Sequence, residues 1–235
     1  MGAANRMNAY LIQKLVLKDW YLQRIPILLS LAGVAVSMAL MLFGHDAGFM
    51  IGLIALISIL IGFGANLSIA TIVNERKEQT LPFVMSLPIS HREYTTAKIL
   101  SGVLLFLVPW LAIALSTGAL FLVAPTTGPS SLPHGLIPYW AIMIVEIGVS
   151  TCLIACVALA TESQPWTIFA VMICNIGFNV FGYIVAHTHG ISRTMYTPTL
   201  QWPPMATVVL LAEVAAILLM LSLTFVIQAR KKDFL

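Results

Sequence analysis

The chain has 235 residues, of which 60% are hydrophobic and 9% charged, with a mean hydropathy of +0.97. A soluble domain carries close to one quarter charged residues, so this composition excludes one and places the chain in lipid. The formal net charge of +3 does not point to nucleic acid, because the basic residues gather at the ends of apolar runs, as membrane topology requires.

Residues 8–24 mix apolar side chains with Lys14, Lys18, Asp19 and Arg24 and include Trp20 and Tyr21. Wound as a helix the charges scatter, and the aromatic and basic content favours the water–lipid boundary, so an interfacial helix is expected there. Six stretches then reach the roughly 20 residues needed to cross a bilayer: 25–43, 49–73, 99–123, 138–160, 166–185 and 205–227. The first is too long for a cleavable signal sequence and lacks a small-residue cleavage site, so it is expected to stay as an anchor. Residues 1–235 therefore read as one all-α transmembrane domain.

Between the second and third spans lies the longest charged interval, 74–98, which carries Leu81, Phe83, Val84, Met85, Leu87 and Ile89 in its middle. Pro82 and Pro88 bracket this apolar run and limit it to a helix of about two turns. An apolar knob inside a polar loop wants a protein partner. Ser90 followed by Glu93 is a capping box that starts the helix of the third span, with Ile89 and Tyr94 placed to staple its entry.

The later spans carry scattered polar groups. Asn66 lies in the second, Glu146 in the fourth, Asn175 and Asn179 four apart on one face of the fifth, and Glu213 in the sixth. Lipid offers such groups no partner, so they either line a route for a substrate or a proton or hold helices together. Gly148, Cys152, Cys156 and Ala160 form a ridge of small residues for close helix packing, within the bundle or across a dimer. The three cysteines, Cys152, Cys156 and Cys174, all sit in apolar runs, which indicates neither a disulfide framework nor a zinc site. His45, His134, His187 and His189 share no spacing of a known ligand set, and no metal is expected. Pro109 falls inside the third span, where it favours a kink.

The basic residues fix an expected orientation. Arg6, Lys14, Lys18 and Arg24, then Arg76, Lys77, Arg92 and Lys98, then Arg230, Lys231 and Lys232 all fall on one side of a six-span chain, against Arg193 alone on the other. Both termini and the knob are thus expected in the cytoplasm of a bacterial cell, with the chain in its cytoplasmic membrane. No phosphate loop and no recognisable nucleophile motif occurs, so the chain is not expected to hydrolyse ATP or to be an enzyme.

The run Asn74-Glu75-Arg76-Lys77-Glu78-Gln79-Thr80-Leu81, then Ser86-Leu87-Pro88-Ile89-Ser90, then Arg92-Glu93-Tyr94 with Lys98, resembles the hallmark loop of the type-2 permeases of ATP-binding-cassette transporters. Gln79 stands where that family often has glycine. The resemblance implies six spans, an N-terminal interfacial helix and a cytoplasmic coupling helix between helices two and three. It implies a permease of an ATP-driven exporter, in which two permease subunits, alike or different, pair with two separately encoded ATPase subunits. ATP and Mg would be bound by those ATPases and no cofactor by this chain. Leu81, Phe83 and Met85 would then anchor the knob in an ATPase groove, with Glu75, Arg76, Lys77, Glu78 and Arg92 at its rim. The apolar bundle leans toward an amphipathic or hydrophobic cargo: a peptide, a drug or a lipid. Two other functions stay open, a proton-coupled secondary transporter using Glu146 or Glu213 and a membrane scaffold or immunity protein that moves nothing.

Overall fold

The computed structural model describes residues 3–43, 45–73, 91–123 and 133–230, and every element among them is helical. In chain order these are α1 (Ala3–Phe43), α2 (His45–Ser68) continued by a π-helical turn (Ile69–Val73), and α3 (His91–Val123). A 3-10 turn (His134–Leu136) then leads into α4 (Ile137–Thr161), α5 (Gln164–His187), the short α6 (His189–Ser192) and α7 (Pro204–Arg230). Six of the helices contain a stretch long and apolar enough to cross a bilayer: Gln13–Phe43, Ile51–Val73, Thr96–Phe121, His134–Thr161, Gln164–His187 and Pro204–Ile227. Helices satisfy their own backbone groups, which is why lipid admits them and why the apolar runs take no other form.

The stretch 8–24 is not a separate helix. It is continuous with the first span in α1, which runs through Pro26 without a break. Proline removes one backbone hydrogen bond, yet breaking the helix there would strand several more in an apolar surrounding.

The helices pack as two groups. α1 lies against α2 and α3, α4 lies against α5 and α7, and α2 joins the groups through α4. The shared core contains Leu56 and Leu60 of α2, Ile113 of α3, Ile144 and Ile147 of α4 and Phe178 of α5. Half of the α4 span is buried and only 11% of the α7 span, so α4 is the axis of the bundle and α7 its most peripheral member. Gly64 lets α2 approach α4 closely, since a Cβ there would lie 2.7 Å from Thr151 Oγ1.

The segment between α5 and α7 folds back onto the bundle. Ile191, Met195 and Ala206 are buried with Ile142 and Val185, closing one end over α4, α5 and α7. Gly135 N–H donates to the Thr197 carbonyl at 3.1 Å. A Cβ at Gly135 would collide with the Thr194 carbonyl oxygen, so only glycine allows this approach.

Candidate functional site

The expected coupling residues Glu75, Arg76, Lys77, Glu78, Leu81, Phe83 and Met85, and the cap Ser90, lie outside the described residues. Arg92 and Glu93 stand in the first turn of α3, which begins at His91. The structure does describe what this segment is rooted in, and both roots meet at one end of the bundle.

The first root is the π-helical turn. A π-turn accommodates an extra residue in a helix and often marks a functional position. Here Thr71, Ile72 and Val73 are buried, and Ser68 and Thr71 return their hydroxyls to the carbonyls of Gly64 and Leu67 at 3.0 and 2.7 Å. Ile72 and Val73 form a buried cluster with Ala158 and Leu159 at the end of α4, and Ile99 of α3 packs on it. The two chain segments that leave for 74–90 and return from it therefore rest on the same end of the central helix.

The second root is ionic. Lys98 Nζ donates to Asp19 Oδ2 at 2.9 Å and to Oδ1 at 3.1 Å, and Ser101 Oγ donates to Oδ2 at 2.9 Å. The Lys98 and Asp19 side chains are 1% and 3% exposed, so α1 and the start of α3 are joined by a buried, doubly hydrogen-bonded ion pair. Such a pair resists separation, because removing either member leaves a charge without compensation.

Among the described residues, two of the cavities flank the core. One of about 370 Å³ lies toward the opposite end, walled by Met41, Leu53, Thr117, Trp140, Phe178 and Tyr183. Trp140 Nε1 donates to Thr117 Oγ1 at 2.9 Å in its wall. The other, of about 230 Å³, is a groove bounded by α2, α3, α4 and α7 near the coupling roots.

The polar residues of the spans divide into two sets. Asn66, Asn175 and Asn179 are exposed on the outside of the bundle. Asn179 Nδ2 donates to the Asn175 carbonyl at 2.7 Å, and about two turns on His187 Nδ1 lies 2.8 Å from the Tyr183 carbonyl with the two rings 4.1 Å apart. Asn175, Asn179, Tyr183 and His187 thus form an i+4 polar ridge along α5, whose Asn179 and Tyr183 border the 370 Å³ cavity. Glu146 and Glu213 belong instead to the packed pair α4 and α7. Glu213 is buried, and neither carboxyl oxygen has a hydrogen-bond partner among the described residues.

The small-residue ridge of α4 faces α7 inside the bundle, where Gly148, Cys152 and Cys156 line the 230 Å³ groove. Cys156 Sγ lies 3.6 Å from the Met220 carbonyl of α7, Cys152 Sγ is 4.0 Å from Cys156 Sγ, and Gly148 faces Ile217. Pro109 is fully buried inside α3. Among the described residues no three His, Cys, Asp or Glu side chains are grouped as a metal site would need; His134 Nε2 is 3.1 Å from the Phe121 carbonyl instead.

The sequence alone did not show the Asp19–Lys98 pair or the π-turn. A family model described as ABC-2 family transporter protein matches residues 14–230. No curated protein and no solved structure matches the chain.

Proposed function

We propose a role from one premise: the chain belongs to the ABC-2 transporter family, and its part is that of the membrane permease of an ATP-driven exporter. In this reading the 74–90 segment inserts its apolar residues into a separately encoded ATPase, and a second permease subunit completes the transporter. The segment, both termini and the basic residues other than Arg193 face the cytoplasm of the bacterial cell. ATP and Mg act on the ATPase, and this chain transmits the motion.

One observation supports the reading above the others, the convergence of both roots of 74–90 on the end of α4 with α1 tied in through Asp19 and Lys98. A segment rooted in this way cannot be displaced without moving α2, α3 and α1 together. ATP binding would stabilise one arrangement of the roots over the other, which is what coupling requires.

The exposed polar ridge of α5 supports the second half of the reading. Two asparagines, a tyrosine and a histidine aligned on one face are costly against hydrocarbon. Facing a second permease they would line the route that cargo takes, and the apolar flanks of that route suit an amphipathic or hydrophobic cargo. Glu213, with no partner for its carboxyl oxygens, favours a second reading in which a proton gradient drives transport.

The experiment is purification of the tagged full-length chain from its own membranes, followed by measurement of ATP hydrolysis. The expected result is a copurifying ATPase whose turnover is lost with Glu78→Arg and Phe83→Asp combined, while the chain remains inserted. Equal copurification and turnover in the doubly substituted chain would refute the coupling role. Transport by the chain alone, collapsing with the proton gradient, would replace it with the second reading.

A further inference from the structure

The 370 Å³ cavity is walled by residues of α1, α2, α3, α4 and α5, and its chemistry is more specific than an apolar route requires. Five of its fifteen lining residues are aromatic, Phe121, Tyr139, Trp140, Phe178 and Tyr183, in a chain that is 9% aromatic overall. Met41 and Met143 add two polarisable thioethers. Filling a gap between helices needs no such enrichment in rings.

The polar atoms of the wall have spent their donors. Trp140 Nε1 donates to Thr117 Oγ1 at 2.9 Å, the Thr117 hydroxyl donates to the Ile113 carbonyl at 2.6 Å, and Asn179 Nδ2 donates to the Asn175 carbonyl at 2.7 Å. The surface that these bonds leave is electron-rich: ring faces, two sulfurs and the carboxamide oxygen of Asn179, with the hydroxyls of Tyr139 and Tyr183 able to accept as well as donate. Among the described residues no Lys, Arg, His, Asp or Glu lines the cavity. An anion finds no counter-charge there, and a sugar finds too few donors.

A cation with an apolar body is the ligand that such walls tell apart from other hydrophobic molecules. Ring faces attract positive charge through their quadrupole, most strongly where water is excluded. A sphere of 370 Å³ has a radius of about 4.5 Å, so a charge near its middle stands within the roughly 6 Å of a ring centroid at which this attraction acts. Entry is from the side of α5, where Asn179 and Tyr183 border the cavity and are exposed, Tyr183 by 66%.

We propose that this cavity binds a small lipophilic organic cation, a quaternary ammonium group carried on an aromatic body. As a binding site it stands on the fold alone; as a place for cargo it rests on the exporter reading.

The test uses the full-length chain by itself in phosphatidylcholine nanodiscs, with an aryldiazirine photoprobe that carries a trimethylammonium group. A neutral isostere with tert-butyl in place of trimethylammonium is run beside it, and adducts are located by mass spectrometry. For each probe the share on 136–143 and 178–186 is taken relative to the exposed α1 face at Leu28 and Leu29. The expected result is a share several-fold larger for the cation than for the isostere, removed by excess unlabelled benzyltrimethylammonium. Tyr183→Leu keeps an apolar wall at an exposed position and takes away one ring, so it should lower the share of the cation and leave that of the isostere unchanged. Equal shares for the two probes in the unsubstituted chain would overturn the proposal, and that comparison needs no variant to fold. A cation share that the unlabelled compound does not reduce, or that Tyr183→Leu leaves as it was, would also overturn it. No ATPase is present, so failure here leaves the exporter reading standing, and a chain that binds the cation but copurifies with no ATPase keeps the site and loses the exporter.

Discussion

At the scale of single residues, the Asp19–Lys98 pair is the interaction on which most depends. Lys98→Met removes the buried cation that Asp19 pairs with most closely and leaves it only Lys18, part-exposed and 3.8 Å away, so the loss approaches the about 3–5 kcal/mol typical of breaking such buried pairs. Asp19→Leu combined with Lys98→Met removes both charges, so the double variant should melt closer to the unsubstituted chain than Lys98→Met does. Thermal unfolding in detergent decides it; additive losses would mean that the two side chains do not act as a pair. Gly135→Ala must push a Cβ into the Thr194 carbonyl. A cost of about 1–3 kcal/mol follows from overpacking of that kind. Proteolysis within 188–203 should then quicken, whereas unchanged resistance would argue against the close approach.

At the scale of elements, the π-turn Ile69–Val73 ends α2 just before the proposed coupling segment 74–90. Removal of Ala70 should let the turn relax to an ordinary α-helix and take the widened turn away while the residues beyond it keep nearly their orientation, because the turn accommodates one extra residue. Such a chain is expected to insert and to keep its six spans, and to lose ATP turnover with its ATPase. Retained turnover would show that the π-turn itself does not matter to coupling. The sequence made some of these elements legible and hid others for physical reasons. Length and hydropathy are strong signals, so the six spanning helices were readable from apolar runs alone. The ridge from Gly148 to Cys156 was readable as a packing surface because small residues at i+4 spacing have few other uses in lipid. Its choice between partners was not, since spacing does not say which helix approaches. The π-turn was hidden because a run that is apolar on every side carries no register. The ion pair was hidden because 79 residues separate its members, and each charge alone reads as an ordinary boundary residue. Reading boundary charges in this way also divided the first helix between residues 24 and 25, where the structure keeps one helix, Ala3–Phe43.

At the scale of the whole molecule, the bundle is two groups of helices joined through α2 and α4, with the coupling roots at one end and the polar ridge of α5 bordering the cavity toward the other. This arrangement is suited to transmission: a displacement at the roots reaches the ridge through α2 and the central α4. In the proposed transporter the ridge faces its counterpart across the route. Asn175→Leu with Asn179→Leu should leave assembly with the ATPase intact while lowering export, because in the proposed transporter the amides line the route and lie away from the 74–90 segment. Loss of assembly in that variant would place them in the packing of the complex.

The account turns on whether force applied at 74–90 moves the helices rooted beside it. The most direct measurement is the distance between spin labels at Leu100→Cys in the two permease subunits of the reconstituted complex, all native cysteines replaced, with and without ATP and vanadate. Leu100 is 43% exposed and lies two residues beyond the ion pair, so a label there reports the start of α3. The account predicts a shift of the distance distribution with nucleotide that disappears when Phe83→Asp is added. A distribution unchanged by nucleotide, in a complex that still hydrolyses ATP, would contradict it.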